Sequence, residues 1–314
     1  MKIQSSGASP DKDNNHSGRD THYSTSGRRS QGKTTMTRRQ FLARGAATVI
    51  GAGLLTSGYA WQGEPNWIEV TKLKLSFKDL PSAFSGMKIA HFSDTHLGFN
   101  KDARDLARLA ERIIKAEPDL ICFTGDIVDS NPEDLVESVP ILAALNASLG
   151  KYAILGNHDY KNTKRITELL NSAGFLVLRN EAYLLKRGGA VMAVTGLDDL
   201  LHGEPDPVKA LSGVPAGTFT VLMMHEPDYA DTAQAHSFHL QLSGHSHGGQ
   251  IRMPLVGAPF TPYGSQKYIN GLYYTDAKSM PVYVNRGFGE TVMPFRFLCR
   301  PELTVLTLHH SSDG

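Results

Sequence analysis

Cysteine is scarce in this chain of 314 residues: Cys122 and Cys299 are the only two, and most of the sequence lies between them. That excludes a disulfide framework and a cysteine-built zinc knot. Both sit in apolar runs, LICFTG and RFLCRP, and read as buried free thiols. A strong net charge is lacking as well, with 32 Lys and Arg against 31 Asp and Glu. The balance hides an asymmetry: nine of the basic and three of the acidic residues fall within residues 1–60, leaving 23 and 28 for the remainder. The body is therefore mildly acidic. It lacks the basic footprint of a general nucleic-acid binder, and no nucleic acid is expected as a partner. There is no internal repeat of fixed period and no clear linker after Trp67. With 40% hydrophobic and 20% charged residues, the chain can bury a sizeable core.

Residues 1–35 contain almost nothing apolar and read as disordered, because such a segment cannot bury enough surface to offset chain entropy. The stretch TMTRRQFLARGAATVIGAGLLTSGYA follows. Arg38 and Arg39 precede Phe41 and Leu42, charge stops at Arg44, and an Ala/Gly-rich run occupies residues 46–60. That run is short and glycine-rich for a membrane span. It resembles a twin-arginine export signal with a cut after Ala60, and Met36 suits the start of such a signal. The twin-arginine export machinery is thus an expected partner, and a periplasmic or other extracytoplasmic envelope site the expected location. Residues 1–60 then form an extension plus signal, and residues 61–314 a single domain of economical size.

From Trp67 onward, short apolar runs alternate with helical segments. IEVTKLKLSF and MKIAHFSD read as strands. A helix from about Asp102 to Glu117 places Leu106, Leu109, Ile113 and Ile114 on one face. DLICFTGD is near-continuously apolar, like a buried parallel strand. A second helix opens at SNPEDL, where Ser130 and Glu133 have capping-box spacing, and runs to about Asn146. KYAILGNHD, a helix over 163–173, FLVL and AVMAVTGL follow. Strands dominate after Gly213: TFTVLMMHE, FHLQLSGH, KYINGLYY, PVYVNRG and LTVLTL. The β-α-β order predicts an α/β fold with parallel strands flanked by helices.

Five of these apolar strands end in similar chemistry. They deliver Asp94 and His96; Asp126 with Asp129; Asn157, His158 and Asp159; His225; and His245 with His247. In open α/β sheets, ligands bind at the carboxyl ends of strands. Carboxylates, imidazoles and an amide without cysteine suit Mn, Fe, Zn or Ni sites that keep a position open for water. The set is too large for one ion and about right for two. A pair about 3.5–4 Å apart activates a hydroxide and stabilises phosphoryl charge.

The blocks DTH, GDIVD, GNHD, a lone His after a strand, and GHSH occur in that order. This pattern resembles the calcineurin-like metallophosphoesterase superfamily, from about Lys88 to Leu308. The ending GHSHGGQIRMP…GLYY…VNRGFGETVMPFRFLCRPEL is similar to a bacterial subgroup of exported or membrane-associated phosphoesterases of the YkuE/YaeI type. The resemblance implies a four-layer α/β/β/α sandwich. It also implies two divalent metal ions (Mn, Zn or Fe), one held by Asp94, His96, Asp126 and His247, the other by Asp126, Asn157, His225 and His245, with Asp126 bridging. His158, whose side chain diverges from that of Asn157, is placed to assist the leaving group, and Asp129 and Asp159 to orient ligands.

The activity so implied is metal-dependent hydrolysis of a phosphoester, foremost a phosphodiester, by a hydroxide bridging two metals. A pyrophosphatase of the UDP-diacylglucosamine type is the alternative, and a metal-stabilised module that binds the cell envelope or a membrane surface is the non-enzymatic one. His202, His236 and His239 match no block and read as surface or structural. Arg286, Arg296 and Arg300 can meet substrate phosphate or serve as ion-paired side chains. The loop MPLVGAPFTPYG lines the cleft or only connects strands.

Overall fold

The computed structural model describes residues 36–277 and 280–311; the first 35 residues, read from sequence as disordered, lie outside that range. From Ile50 onward the chain makes one compact unit, separate from the part before it. The elements in order are α1 (Arg38–Gly58), β1 (Glu69–Phe77), β2 (Met87–Phe92), α2 (Ala103–Ala116), β3 (Leu120–Thr124), α3 (Val139–Ala143), β4 (Lys151–Ile154), α4 (Thr163–Ser172), β5 (Leu176–Val177), β6 (Glu181–Arg187), β7 (Ala190–Gly196), α5 (Pro207–Leu211), β8 (Phe219–Met223), α6 (Ala230–Ala233), β9 (Leu240–Ser243), β10 (Gly271–Tyr274), β11 (Pro281–Val284) and β12 (Glu302–His310).

The strands form two six-stranded sheets, in the orders β1-β12-β2-β3-β4-β5 and β10-β11-β9-β8-β7-β6. Within the first, β2, β3, β4 and β5 run parallel, and β12 is antiparallel to β2. Within the second, β7, β8, β9 and β11 are parallel, with β6 and β10 antiparallel at the edges.

Side-chain alternation divides the core into layers. Met87 and Ile89 of β2, Leu120 and Cys122 of β3, and Phe219, Val221 and Met223 of β8 share one apolar cluster between the sheets. The opposite faces of β2 and β3, with Ala90, Phe92, Ile121 and Phe123, pack with Leu106, Leu109 and Ile113 of α2 and with Ile166 and Leu170 of α4. Leu222, Val282 and Val284 meet Ala230 and Ala233 of α6 on the outside of the second sheet. These are the four layers α/β/β/α.

Local sequence explains most boundaries and corrects a few. A capping box at Asp102 and Asp105 starts α2, but Ile114 faces away from the core and is exposed. At the expected second helix, Asn131 rather than Ser130 is the N-cap. A 3₁₀ segment, Pro132–Ser138, follows, and only Val139–Ala143 is α-helical. Pro132 and Pro140 each remove a backbone donor, which keeps a long regular helix from forming there. Strand β6, absent from the sequence reading, forms a hairpin with β7.

The first helix begins at Arg38, earlier than the apolar run 46–60. With the short helical turns after it, to Asn66, it is long and apolar enough to cross a membrane by length and composition. Its continuation is fastened to the body. The Ala60 carbonyl accepts from Arg296 N at 3.0 Å, and the buried Glu64 carboxylate accepts from the backbone N–H groups of Leu298 and Cys299.

Candidate metal centre

The strands that the sequence marks as chemically loaded end side by side. β2, β3 and β4 are parallel neighbours in one sheet, and β8 and β9 in the other. Backbone bonds tie neighbouring loops within each sheet, Asp94 N donating to Gly125 O at 2.9 Å in the first and Gly244 N to His225 O at 3.1 Å in the second. Both Asp94 carboxylate oxygens accept from His245 N at 3.0 Å. To turn this sharply after a strand, Asp94, His96, Asp126, His245 and His247 all adopt positive φ, between 43° and 67°. Asp and His tolerate that region better than most residues, at a cost of about 1–3 kcal/mol each. Glycine is required where the loops approach most closely. A Cβ on Gly156 would strike Asp126 Oδ1 and the His225 ring, and one on Gly244 would strike Ser93 and Asp94.

Two groups of potential ligands result. Asp94, His96 and His247 form one, and Asp126, His225 and His245 the other; within each, the ligand atoms lie within 4.8 Å of one another. The imidazoles of His96 and His247 face each other Nε2 to Nε2 at 3.0 Å, and Asp94 Oδ1 is 3.5 Å from His247 Nε2. Asp126 stands between the groups, its Oδ2 3.6 Å from His96 Nε2 and 3.3 Å from His225 Nε2. Asn157 and His158 lie on the adjacent loop after β4. The buried Asn157 Oδ1 and His225 Nε2 have no hydrogen-bond partner among the described residues. Orphaned buried oxygen and imidazole donors beside carboxylates suit divalent cations.

Neighbours set the tautomers. His225 Nδ1 donates to Thr124 O at 2.6 Å, which turns its Nε2 toward Asp126. His245 Nε2 donates to Tyr263 O at 2.9 Å, which leaves Nδ1 as the nitrogen able to accept a metal. Asp129 Oδ1 is 3.5 Å from His96 Nδ1 and 3.7 Å from His158 Nδ1, and the Asp129 carbonyl accepts from His158 Nδ1 at 2.7 Å. Asp159 binds no ligand side chain. Its carboxylate accepts from Asp126 N, Ile127 N and Gly156 N at 2.8–3.0 Å, holding the β3 and β4 loops together.

Burial opposes charge throughout the centre. At Asp126 the nearby His225 and His96 overcome it and hold the carboxyl well below the usual range, and the same attraction lifts His225 well above an ordinary imidazole. Burial and neighbouring positive groups push His247 down and His245 down to about 4. These two imidazoles are therefore neutral near pH 7, as a metal ligand must be.

The remaining candidates separate clearly. Arg296, fully buried, pairs with Glu290, donates to the carbonyls of Arg286, Gly289 and Cys299, and comes within 3.5 Å of His247 Nδ1. Arg286 is committed to Glu302 and Glu69, and Arg300 lies over the Trp67 ring at 3.7 Å. His239 Nδ1 accepts from Thr220 N, and His202 packs beside Tyr160. Sequence reasoning missed the contribution of Arg296 to the back of His247 and that of the Tyr263 carbonyl to His245. The first had no local motif, and the second is a backbone atom with no side-chain signature. The Pro/Gly-rich loop does more than connect strands, since Tyr263 belongs to it.

Residues 87–249 match the family model described as calcineurin-like phosphoesterase. The uncharacterized metallophosphoesterase YkuE of Bacillus subtilis (strain 168) is 42% identical over 283 residues, covering 87% of this chain and 98% of that protein. Phosphodiesterase YaeI of Escherichia coli (strain K12) is 32% identical over 285 residues, covering 87% and 99%. UDP-2,3-diacylglucosamine pyrophosphatase LpxG of Chlamydia trachomatis serovar D is 26% identical over 312 residues, covering 82% and 94%. The converging strand ends thus coincide with an extended sequence match, and the chain belongs to the calcineurin-like metallophosphoesterase family.

Proposed function

We propose that this protein is a metal-dependent phosphodiesterase whose centre holds two divalent cations. The observation that carries the reading is the position of Asp126, with one oxygen within 3.6 Å of a histidine from each ligand group. A carboxylate has lone pairs enough to serve two cations, whereas an imidazole nitrogen serves one. Asp94, His96, Asp126 and His247 would hold one ion, and Asp126, Asn157, His225 and His245 the other. Bound divalent ions supply Lewis acidity toward phosphoryl oxygens and an acidified water.

The chain's own residues do the rest. Glycines at 156 and 244 bring the loops close, Asp159 ties them, and Asp129 and Thr124 orient imidazoles. His158 differs from the ligands in being partly open to solvent, with 27% of its side chain exposed, while His96 and His225 have none. With Nδ1 committed to the Asp129 carbonyl, its Nε2 is free to exchange a proton with a leaving oxygen.

A diester is preferred as substrate because YaeI, similar over most of its length, is a phosphodiesterase. LpxG supports the pyrophosphate alternative. Export by a twin-arginine-like route is part of the proposal, supported by Arg38 and Arg39 at the start of α1 and by the apolar residues after them. Changing both arginines to lysine should abolish it, and unaltered export would refute it.

Turnover of bis(p-nitrophenyl) phosphate by the Mn²⁺-loaded protein tests the activity. His158→Ala should lower kcat by roughly 10²–10⁴-fold, and Asp126→Asn should abolish turnover together with metal retention. Unchanged turnover in either variant would refute the assignment. A protein that retains metal and turns over neither diesters nor pyrophosphates is instead the envelope-binding module.

A further inference from the structure

Two loops beside the metal centre present bulky apolar side chains to solvent. Leu255, Val256 and Phe260 belong to one, and Val292, Met293 and Leu298 to the other. Leu255 is exposed to 108% of its reference area and Val292 to 83%. Isolated exposed hydrophobics need no explanation, but a cluster on adjoining loops does.

The two loops are fastened together directly after the GHSH turn. Gln250 Nε2 donates to Thr291 O and Met293 O, Gln250 Oε1 accepts from Thr291 N, and Arg252 N donates to Phe297 O. Residues 253–266 and 291–295 contain no Asp, Glu, Lys or Arg; Arg296, between Met293 and Leu298, is fully buried and paired with Glu290. Backbone strain accompanies the exposure. Leu255, Val292 and Leu298 have φ of 67°, 63° and 51°, a region that branched side chains avoid. An exposed Gly or Asn would occupy these positions at lower cost. Strained backbone of this kind is found preferentially at functional sites, ligand clamps and switch regions.

The placement of the patch indicates what covers it. The apolar N-terminal helix leads into Ala60, whose carbonyl is bonded to Arg296 N, and Glu64 accepts from Leu298 N at 2.9 Å. The segment leaving a helix that is long and apolar enough to cross a bilayer is thus pinned to one of the two loops. We propose that these loops are a membrane-docking surface, with Leu255, Val256, Phe260, Val292, Met293 and Leu298 entering the interfacial layer of a lipid bilayer. Segments 253–266 and 291–295, without charge, suit that layer, where each apolar side chain removed from water favours binding. Tyr263, in the same loop as Leu255, holds His245, so docking sets the metal centre at headgroup level. The surface is a property separate from the hydrolytic activity.

Leu255→Cys in the full chain, labelled with an environment-sensitive nitrobenzoxadiazole dye, tests the proposal. The native Cys122 and Cys299 are buried and are not labelled in the folded protein. Val208→Cys, at the exposed Val208 of α5, is the control. On addition of phosphatidylcholine vesicles containing phosphatidylglycerol, the dye at 255 should brighten, shift to the blue and be quenched by nitroxide-bearing acyl chains, while the dye at 208 stays unchanged. Emission at 255 that still reports water would overturn the proposal. So would a blue shift without vesicles that grows with protein concentration, because a second copy then covers the patch. Turnover of a soluble diester, followed on the same samples, separates a failure of docking from a failure of the phosphodiesterase reading.

Discussion

Replacing Gly156 by alanine perturbs the geometry of the metal centre without replacing a ligand. The residue lies at φ −106°, so an L-side chain fits its backbone. Space is what is missing: the added Cβ would collide with Asp126 Oδ1 and stand 2.6 Å from His225 Cε1 and 2.7 Å from Nε2. Ordinary contact begins near 3.4 Å, so the ring has to retreat by about 0.8 Å. Thr124 O also fixes that ring through a 2.6 Å bond from Nδ1, which leaves it little room. A misplacement of about 1 Å at a reacting centre costs about 10²-fold in rate, and overpacking costs roughly 1–3 kcal/mol of stability. Gly156→Ala should therefore fold, lose metal affinity and lower diester turnover by about 10²-fold. Isothermal titration with Mn²⁺ and steady-state kinetics measure the two effects. Gly213→Ala is the control, since nothing lies within 4 Å of its Cβ. If the Gly156 variant bound metal and turned over like the parent, the loop contact would not position Asp126 and His225.

Three further outcomes follow from the same geometry. His225 carries a proton held by Asp126 that a cation must displace, so Mn²⁺ affinity should rise with pH and binding should release protons; a pH-independent titration isotherm would contradict this. Divalent metal at about a hundredfold over its Kd should raise stability by about 2.7 kcal/mol, read as a higher Tm that EDTA reverses; an unchanged Tm would count against the centre as a metal site. His91, outside the ligand set, is driven down to about 3 by burial, with Glu302 opposing. Its folded pKa lies below its unfolded one, so the neutral form stabilises the fold above about pH 6.5 and that contribution is lost as pH falls toward 3. Denaturant titration at pH 7 and 4.5 should show about 2–3 kcal/mol of this loss, and His91→Gln should remove it.

Which parts of this molecule were legible in its sequence depended on how local the causes are. DTH, GDIVD, GNHD and GHSH pack several donors into a few residues at the ends of apolar strands, and those strands are parallel to their neighbours within each sheet, β2, β3 and β4 in one and β9 beside β8 in the other, so strand placement and ligand placement were one inference. Elements set by a single competing residue were less legible. Pro132 and Pro140 turned an expected helix into a 3₁₀ segment and a short α-helix, although both prolines were in view. Strand β6 was missed because Leu185 is its one buried residue and its other positions are half-buried or exposed. The usable signal was Gly188-Gly189, a two-glycine turn that closes the hairpin with β7.

The support behind the ligands was illegible for a different reason. Arg296 reaches the back of His247 from 49 positions away, and the Tyr263 carbonyl fixes the His245 tautomer through a backbone atom. Neither fact has a residue-type signature, because what matters is where the chain passes. Positive φ at Asp94, His96, Asp126, His245 and His247 belongs to the same class. Each residue type permits that conformation, but only the close meeting of two sheet edges demands it. The strained turns are the means by which the ends of two sheets bring six potential donors together. A variant that relaxes one turn while keeping its ligand, such as one that shifts the loop at Gly244 away from Asp94, would therefore harm metal binding as a ligand deletion does.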